Sequence, residues 1–108
     1  MVRHIVTWNY KDGFTEAENK KNAEKAKADI EALKHSIGGI IEIEFTIDLL
    51  NSSNRDVVLD SLFESEEALS AYQVHPEHVK VKELMGRAFQ DRVCMDYWFS
   101  NKNINPGS

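Results

Sequence analysis

The chain contains one cysteine, Cys94, and two prolines, and it has no long apolar run. A single cysteine rules out an intrachain disulfide and any zinc site built from a cysteine cluster. Flanked by Val93 and Met95, it reads as a small residue in a strand rather than a reactive thiol. No apolar stretch approaches the ~20 residues that a membrane helix needs, and no charged-then-apolar leader stands out. Basic residues are in deficit, with 13 Lys and Arg against 18 Asp and Glu and a formal net charge of -5. A nucleic-acid surface would need clustered Lys and Arg. The lysines between Lys20 and Lys34 are interleaved with acidic residues, the pattern of a solvated helix face. These absences point to a cytoplasmic protein with neither nucleic acid nor membrane as partner.

What is present is an ordinary globular balance, 42% hydrophobic and 29% charged, in 108 residues. That length suits one core and is too short for two. Residues 1–100 form the expected domain. Asn101 to Ser108, with Pro106 and Gly107, has no periodic pattern and is expected to be a loose C-terminal tail.

Val2 to Tyr10 alternates, with Val2, His4, Val6, Trp8 and Tyr10 on one face, which predicts a strand. Thr15 and Glu18 have the spacing of a capping box. Behind them Ala23, Ala26, Ile30, Leu33 and Ile37 recur at helical steps. Gly38-Gly39 can supply the left-handed residue that ends this helix. Ile40 to Leu50 alternates again, Ile41, Ile43, Phe45, Ile47 and Leu49 opposing Glu42, Glu44, Thr46 and Asp48. After the polar turn at Asn51 to Asn54, Val57 to Phe63 reads as a third strand. Ser65 caps a short helix on which Ala68, Leu69 and Tyr72 fall together. Pro76 then opens another helix to about Gln90, and Val93 to Phe99 reads as the last strand.

The order β-α-β-β-α-β, with its second helix broken, predicts an α+β protein of ferredoxin-like plan. Right-handed crossovers give a four-stranded antiparallel sheet with the helices on one face. The second and fourth strands then form the edges. An apolar sheet face left bare invites association, so two copies packed sheet to sheet, a homodimeric α/β barrel, form the simplest closed assembly.

Two of the four histidines, His75 and His78, flank Pro76 where this helix begins. His78 shares a stripe with Val81, Met85 and Ala88 and so faces inward. The positive end of the helix dipole there disfavours imidazolium. A neutral, half-buried imidazole can accept a proton, and Tyr72 offers a hydroxyl toward the same interior. The bland alternative is a core histidine bonded to backbone, with His75 only capping the helix. The His-x-x-His spacing alone is a thin metal signal, and neither metal nor cofactor is expected.

His4-Ile5-Val6, Val57-Val58-Leu59, Phe63-Glu64-Ser65, Ala68-Leu69, Tyr72, His75-Pro76-Glu77-His78 and Asp96-Tyr97 together resemble the stress-responsive dimeric A/B barrel (Dabb) family. The similarity runs from about Val2 to Trp98. The resemblance implies a ferredoxin-like subunit that pairs into a dimeric barrel, in a family most of whose members have no established activity. A small-molecule pocket is expected near the His-Pro-x-His motif, beside His4, Tyr72 and His78. One plant branch comprises polyketide cyclases, which close a linear polyketide by aldol condensation without a cofactor. Carried onto matching positions, the implied catalytic residues are His78 as general base, Tyr72 and His4. The cyclase-like members carry a further histidine where this chain has Val57. Three functions follow as expectations: a ligand-binding, stress-related barrel, a cofactor-free acid–base enzyme of cyclase or monooxygenase type, or a structural, self-assembling protein.

Overall fold

The computed structural model describes residues 1–100, so the expected loose tail lies outside the described residues. The elements are β1 (Val2–Tyr10), α1 (Glu16–Ser36), β2 (Ile40–Thr46), β3 (Val57–Phe63), α2 (Glu66–Val74), α3 (Pro76–Ala88) and β4 (Phe89–Trp98). The four strands form one antiparallel sheet in the order β2-β3-β1-β4, with β2 and β4 at the edges. This is the expected ferredoxin-like arrangement.

Local chemistry accounts for most of the boundaries. Thr15 and Glu18 form the full capping box at the start of α1, meeting two amides that have no intrahelical partner. Ala23, Ala26, Ile30, Leu33 and Ile37 are all buried, as their spacing requires. Gly39 follows with φ 87°, and a Cβ there would lie 2.6 Å from the Cβ of Ala68. Only glycine meets both demands at this position. Ser65 accepts from the Ala68 amide and opens α2.

Three boundaries differ from those expected. β2 ends at Thr46 rather than Leu50, so the alternation persists beyond the point where pairing with β3 stops. Its register with β3 also shifts between Ile40 and Glu42, and Ile40 itself is buried. The helix α3 ends at Ala88, and Phe89 starts β4 directly. Phe89 is extended, at φ -131° and ψ 160°, although its amide still donates to the Met85 carbonyl. Helix and strand therefore share a junction with no loop between them.

The β1–β4 register slips there too. Thr7 pairs with Val93 and Asn9 with Gln90, leaving Asp91 and Arg92 opposite Trp8. Asp91 takes φ 58°, and its carboxylate accepts from the Asn9 side-chain amide at 3.1 Å. Such a bulge bends its strand and re-aims the side chains around it. Here it turns Asp91 and Arg92 toward the space beneath α3, where both line a cavity.

The edge of β2 is occupied by side chains of α1. The Glu31 carboxylate accepts from the Phe45 amide at 3.0 Å, while the Lys27 ammonium donates to the Phe45 carbonyl at 2.8 Å. Burial would raise the Glu31 carboxyl, but these partners outweigh it and hold it below its ordinary range. The backbone of Phe45 is thereby closed to a foreign strand.

The core lies between the helices and the sheet and contains two aromatic groups. Trp8, Phe45 and Phe89 meet at centroid separations of 5.8 to 6.3 Å. Phe63, Tyr72 and His4 form the second, with Phe63 and Tyr72 centred 4.9 Å apart. On the outer face, register places Ile5, Thr7, Val93, Met95 and Tyr97 together on β1 and β4. The β2–β3 half carries Glu42, Glu44 and Asp60, two of them paired with Arg3. The bare face is thus most apolar on its β1–β4 half, with Val58 and Leu62 of β3 beside the charged residues on the other.

Candidate functional site

His78 enters the site through the helix break. The backbone of His75 is extended at φ -65° and ψ 134°, ending α2 and capping α3 at once. Its Nδ1 accepts from the Glu77 amide at 3.1 Å, which commits the ring to the cap. Pro76 then sits at the start of α3, where its missing amide hydrogen costs nothing. One turn along, His78 lies flat on Tyr72, with ring centroids 3.9 Å apart and planes at 21°.

The tautomer of His78 follows from its partner. Its Nδ1 lies 3.0 Å from the backbone carbonyl of Tyr72. A carbonyl only accepts, so Nδ1 carries the proton and Nε2 keeps a free lone pair. Burial, aided by the Lys82 charge, pulls the imidazole down to about 4. His78 is therefore neutral at physiological pH, with one nitrogen able to take a proton. Neutrality was expected from the helix dipole, whereas burial and a neighbouring ammonium are the main causes here.

Tyr72 is 1% exposed, and burial raises its phenol well above the usual range, with only partial relief from Arg92. It stays protonated and is a hydrogen-bond donor. His4, 2% exposed on β1, meets Tyr72 edge-on at 6.2 Å. Its Nδ1 is hydrogen-bonded to Asp96 Oδ1, whose carboxylate orients the ring. Buried Ser61 donates to the His4 carbonyl at 2.9 Å.

His4, Tyr72 and His78 all line one cavity of about 420 Å³, within the range that holds small organic ligands. Trp8, Ile30, Leu59, Met85 and Phe89 supply apolar wall, and Lys82 and Arg92 bring positive charge. The three residues singled out from sequence are thus brought together, while His75 is turned to the cap. Val57 is fully buried and supplies no polar group where the cyclase-like pattern has a histidine.

Asp96 and Cys94 belong to this neighbourhood and were missed as site residues. Asp96 pairs directly with His4 across the β1–β4 ladder, and Cys94 lies two residues away on the same face. Cys94 is exposed, and burial of part of its side chain together with Asp96 raises its thiol. In the sequence, Asp96 stands out only as part of the family resemblance, and Cys94 reads as a small strand residue. Among the described residues no helix is long and apolar enough to cross a membrane.

The fold places the chain among ferredoxin-like α+β proteins, and comparison with known families narrows that class. The family model for the stress responsive A/B barrel domain matches residues 2–99, and the chain belongs to that family. A dimeric protein of unknown function and ferredoxin-like fold from Bacteroides fragilis is similar, with 30% identity and a TM-score of 0.84. That match covers 91% of this chain and 95% of the other. A Dabb family protein from Mesorhizobium loti shares the fold at 21% identity and a TM-score of 0.70, covering 92% and 96%. A hydroxynitrile lyase from Passiflora edulis does so at 20% identity and a TM-score of 0.75, covering 92% and 93%. No curated protein matches the chain in sequence.

Proposed function

We propose that this protein binds a small carbonyl compound in the cavity and moves a proton on it by acid–base chemistry of its own side chains. One observation carries the reading: His78 donates its Nδ1 proton to the Tyr72 carbonyl and lines the cavity as a neutral ring. Its Nε2 is then the base that removes a proton beside the carbonyl. The phenol of Tyr72 donates to the oxygen on which negative charge develops. His4, oriented by Asp96, completes the polar end, while Trp8, Leu59, Met85 and Phe89 hold an apolar ring or chain. Valine at position 57 leaves a smaller set of donors than the cyclase-like pattern has. An enzyme on this scaffold has a precedent in the Passiflora lyase.

The test needs no knowledge of the natural substrate. An aryl methyl ketone incubated with the protein in deuterium oxide should exchange its methyl protons faster than in buffer, followed by proton NMR. The excess rate should scale with protein concentration. Binding of the ketone with no exchange above buffer would reduce the protein to a ligand-binding barrel.

The same reading takes the working unit to be a homodimer in the cytoplasm. Val93, Met95 and Tyr97 are 45%, 59% and 50% exposed on the outer face of β4, and the Bacteroides relative is described as dimeric. A second copy covering this face would bury roughly 800 Å² per partner, enough for a stable complex. Sedimentation at micromolar concentration should give a dimer, and Met95→Asp should shift it toward monomer. A wild-type chain that sediments as a folded monomer contradicts the assembly.

A further inference from the structure

We propose that His4, Cys94 and Asp96 form a binding site for a borderline-soft divalent cation, zinc above all, beside the cavity. The three residues share the inner face of the β1–β4 ladder, and their ligand atoms all lie within 4.8 Å of one another. Imidazole, thiolate and carboxylate are the donor types that zinc takes, and three of them leave a fourth position open. This site shares His4 and Asp96 with the proton-transfer reading but does not depend on it, since metal binding is measured without any substrate.

Two of the three separations approach those of a tetrahedron. With metal–sulfur bonds near 2.3 Å and metal–nitrogen or –oxygen bonds near 2.0–2.1 Å, neighbouring ligand atoms stand roughly 3.3–3.6 Å apart. Cys94 Sγ lies 3.8 Å from His4 Nδ1 and 3.7 Å from Asp96 Oδ1. Both edges at sulfur are thus nearly of coordination length before any ion arrives. The third edge is the His4–Asp96 hydrogen bond, and a cation would take the place of its proton. That edge must open, and the Asp96 side chain, 44% exposed, has solvent on one side into which it can turn. Exposure of Cys94 and Asp96 also gives the ion a route from solvent.

The proton balance is simple. Cys94 gives up its thiol proton to solvent on becoming a ligand, and the proton held between His4 and Asp96 gives way to the ion. Thiolate and carboxylate then balance the two positive charges of the ion. Arg92 lies close enough to influence the Cys94 thiol, and its charge opposes the ion, so affinity is set by the anionic pair against one guanidinium. No spacing motif announces this site, because His4 stands 90 residues from Cys94 and 92 from Asp96. That is why the sequence led to the expectation of no metal.

Chelator-stripped full-length protein should bind one zinc per chain by calorimetry, in the micromolar range or tighter. Cobalt(II) should give a near-ultraviolet sulfur-to-metal charge-transfer band. Cys94→Ser should abolish that band and weaken zinc binding at least tenfold. Asp96→Asn should also weaken zinc at least tenfold while keeping its circular dichroism, and His35→Ala, on exposed helix, should change nothing. A wild-type chain with no saturable zinc binding, or a Cys94→Ser variant that binds zinc equally well, overturns the site.

Discussion

His78→Ala should lose the proton-exchange activity by about 10²–10⁴-fold, the range that a positioned base contributes, while the chain stays folded. The ring is hydrogen-bonded to the Tyr72 carbonyl, so the stability cost at neutral pH should be about 1–2 kcal/mol. His75→Ala should behave in the opposite way. It removes the acceptor of the Glu77 amide at about 1 kcal/mol, the usual cost of a lost cap, and leaves exchange intact. Loss of activity in both variants with equal destabilisation would show the helix break, not the base, to be what matters.

The pH dependence follows with a definite sign. In the folded chain His78 titrates at about 4, against 6.5 for the free side chain. As pH falls below about 6.5, the unfolded chain takes up the proton first, so the folded state loses stability down to about 4. Above 6.5 neither state binds it and the contribution is constant. Wild-type exchange should therefore be level through neutral pH and decline as pH drops toward 4, and His78→Ala should lose this part of the acid sensitivity. NMR titration of the ring protons measures the pKa directly, and a His78 titrating near 6.5 would remove the burial argument.

Phe63→Ala should have the largest effect on stability, about 3–5 kcal/mol. Phe63 is fully buried, 4.9 Å from the Tyr72 ring centroid and 6.1 Å from that of His4. Removing the ring leaves a void beneath two residues of the candidate site. Against a typical total of about 5–15 kcal/mol, the variant should be close to unfolding in denaturant titrations. Phe63→Leu retains most of the volume and should remain folded, with Tyr72 less firmly held and exchange reduced. A cost below about 1 kcal/mol for Phe63→Ala would mean that β3 and α2 do not pack as described.

Local patterns in the chain were enough to determine the elements and their order. Period-two alternation in β1, the stripe from Ala23 to Ile37, the capping box at Thr15 and the break at Pro76 each depend on residues a few positions apart. Such signals are written in the chain because backbone geometry sets their period. The same locality brought out His78, His75 and Tyr72 as a group, since they share one helix break. His4 entered through family resemblance, and its place beside them required the sheet. Tertiary structure alone decided where β2 stops and where β4 begins, because both ends are set by pairing with a distant strand. It also decided the bulge opposite Trp8, the tautomer of His78, and the meeting of His4 with Cys94 and Asp96. The tautomer follows from how α2 and α3 pack at their break. The bulge and the His4 cluster depend on the register between strands that lie some 90 residues apart in the chain, and strand register follows from how the whole core packs.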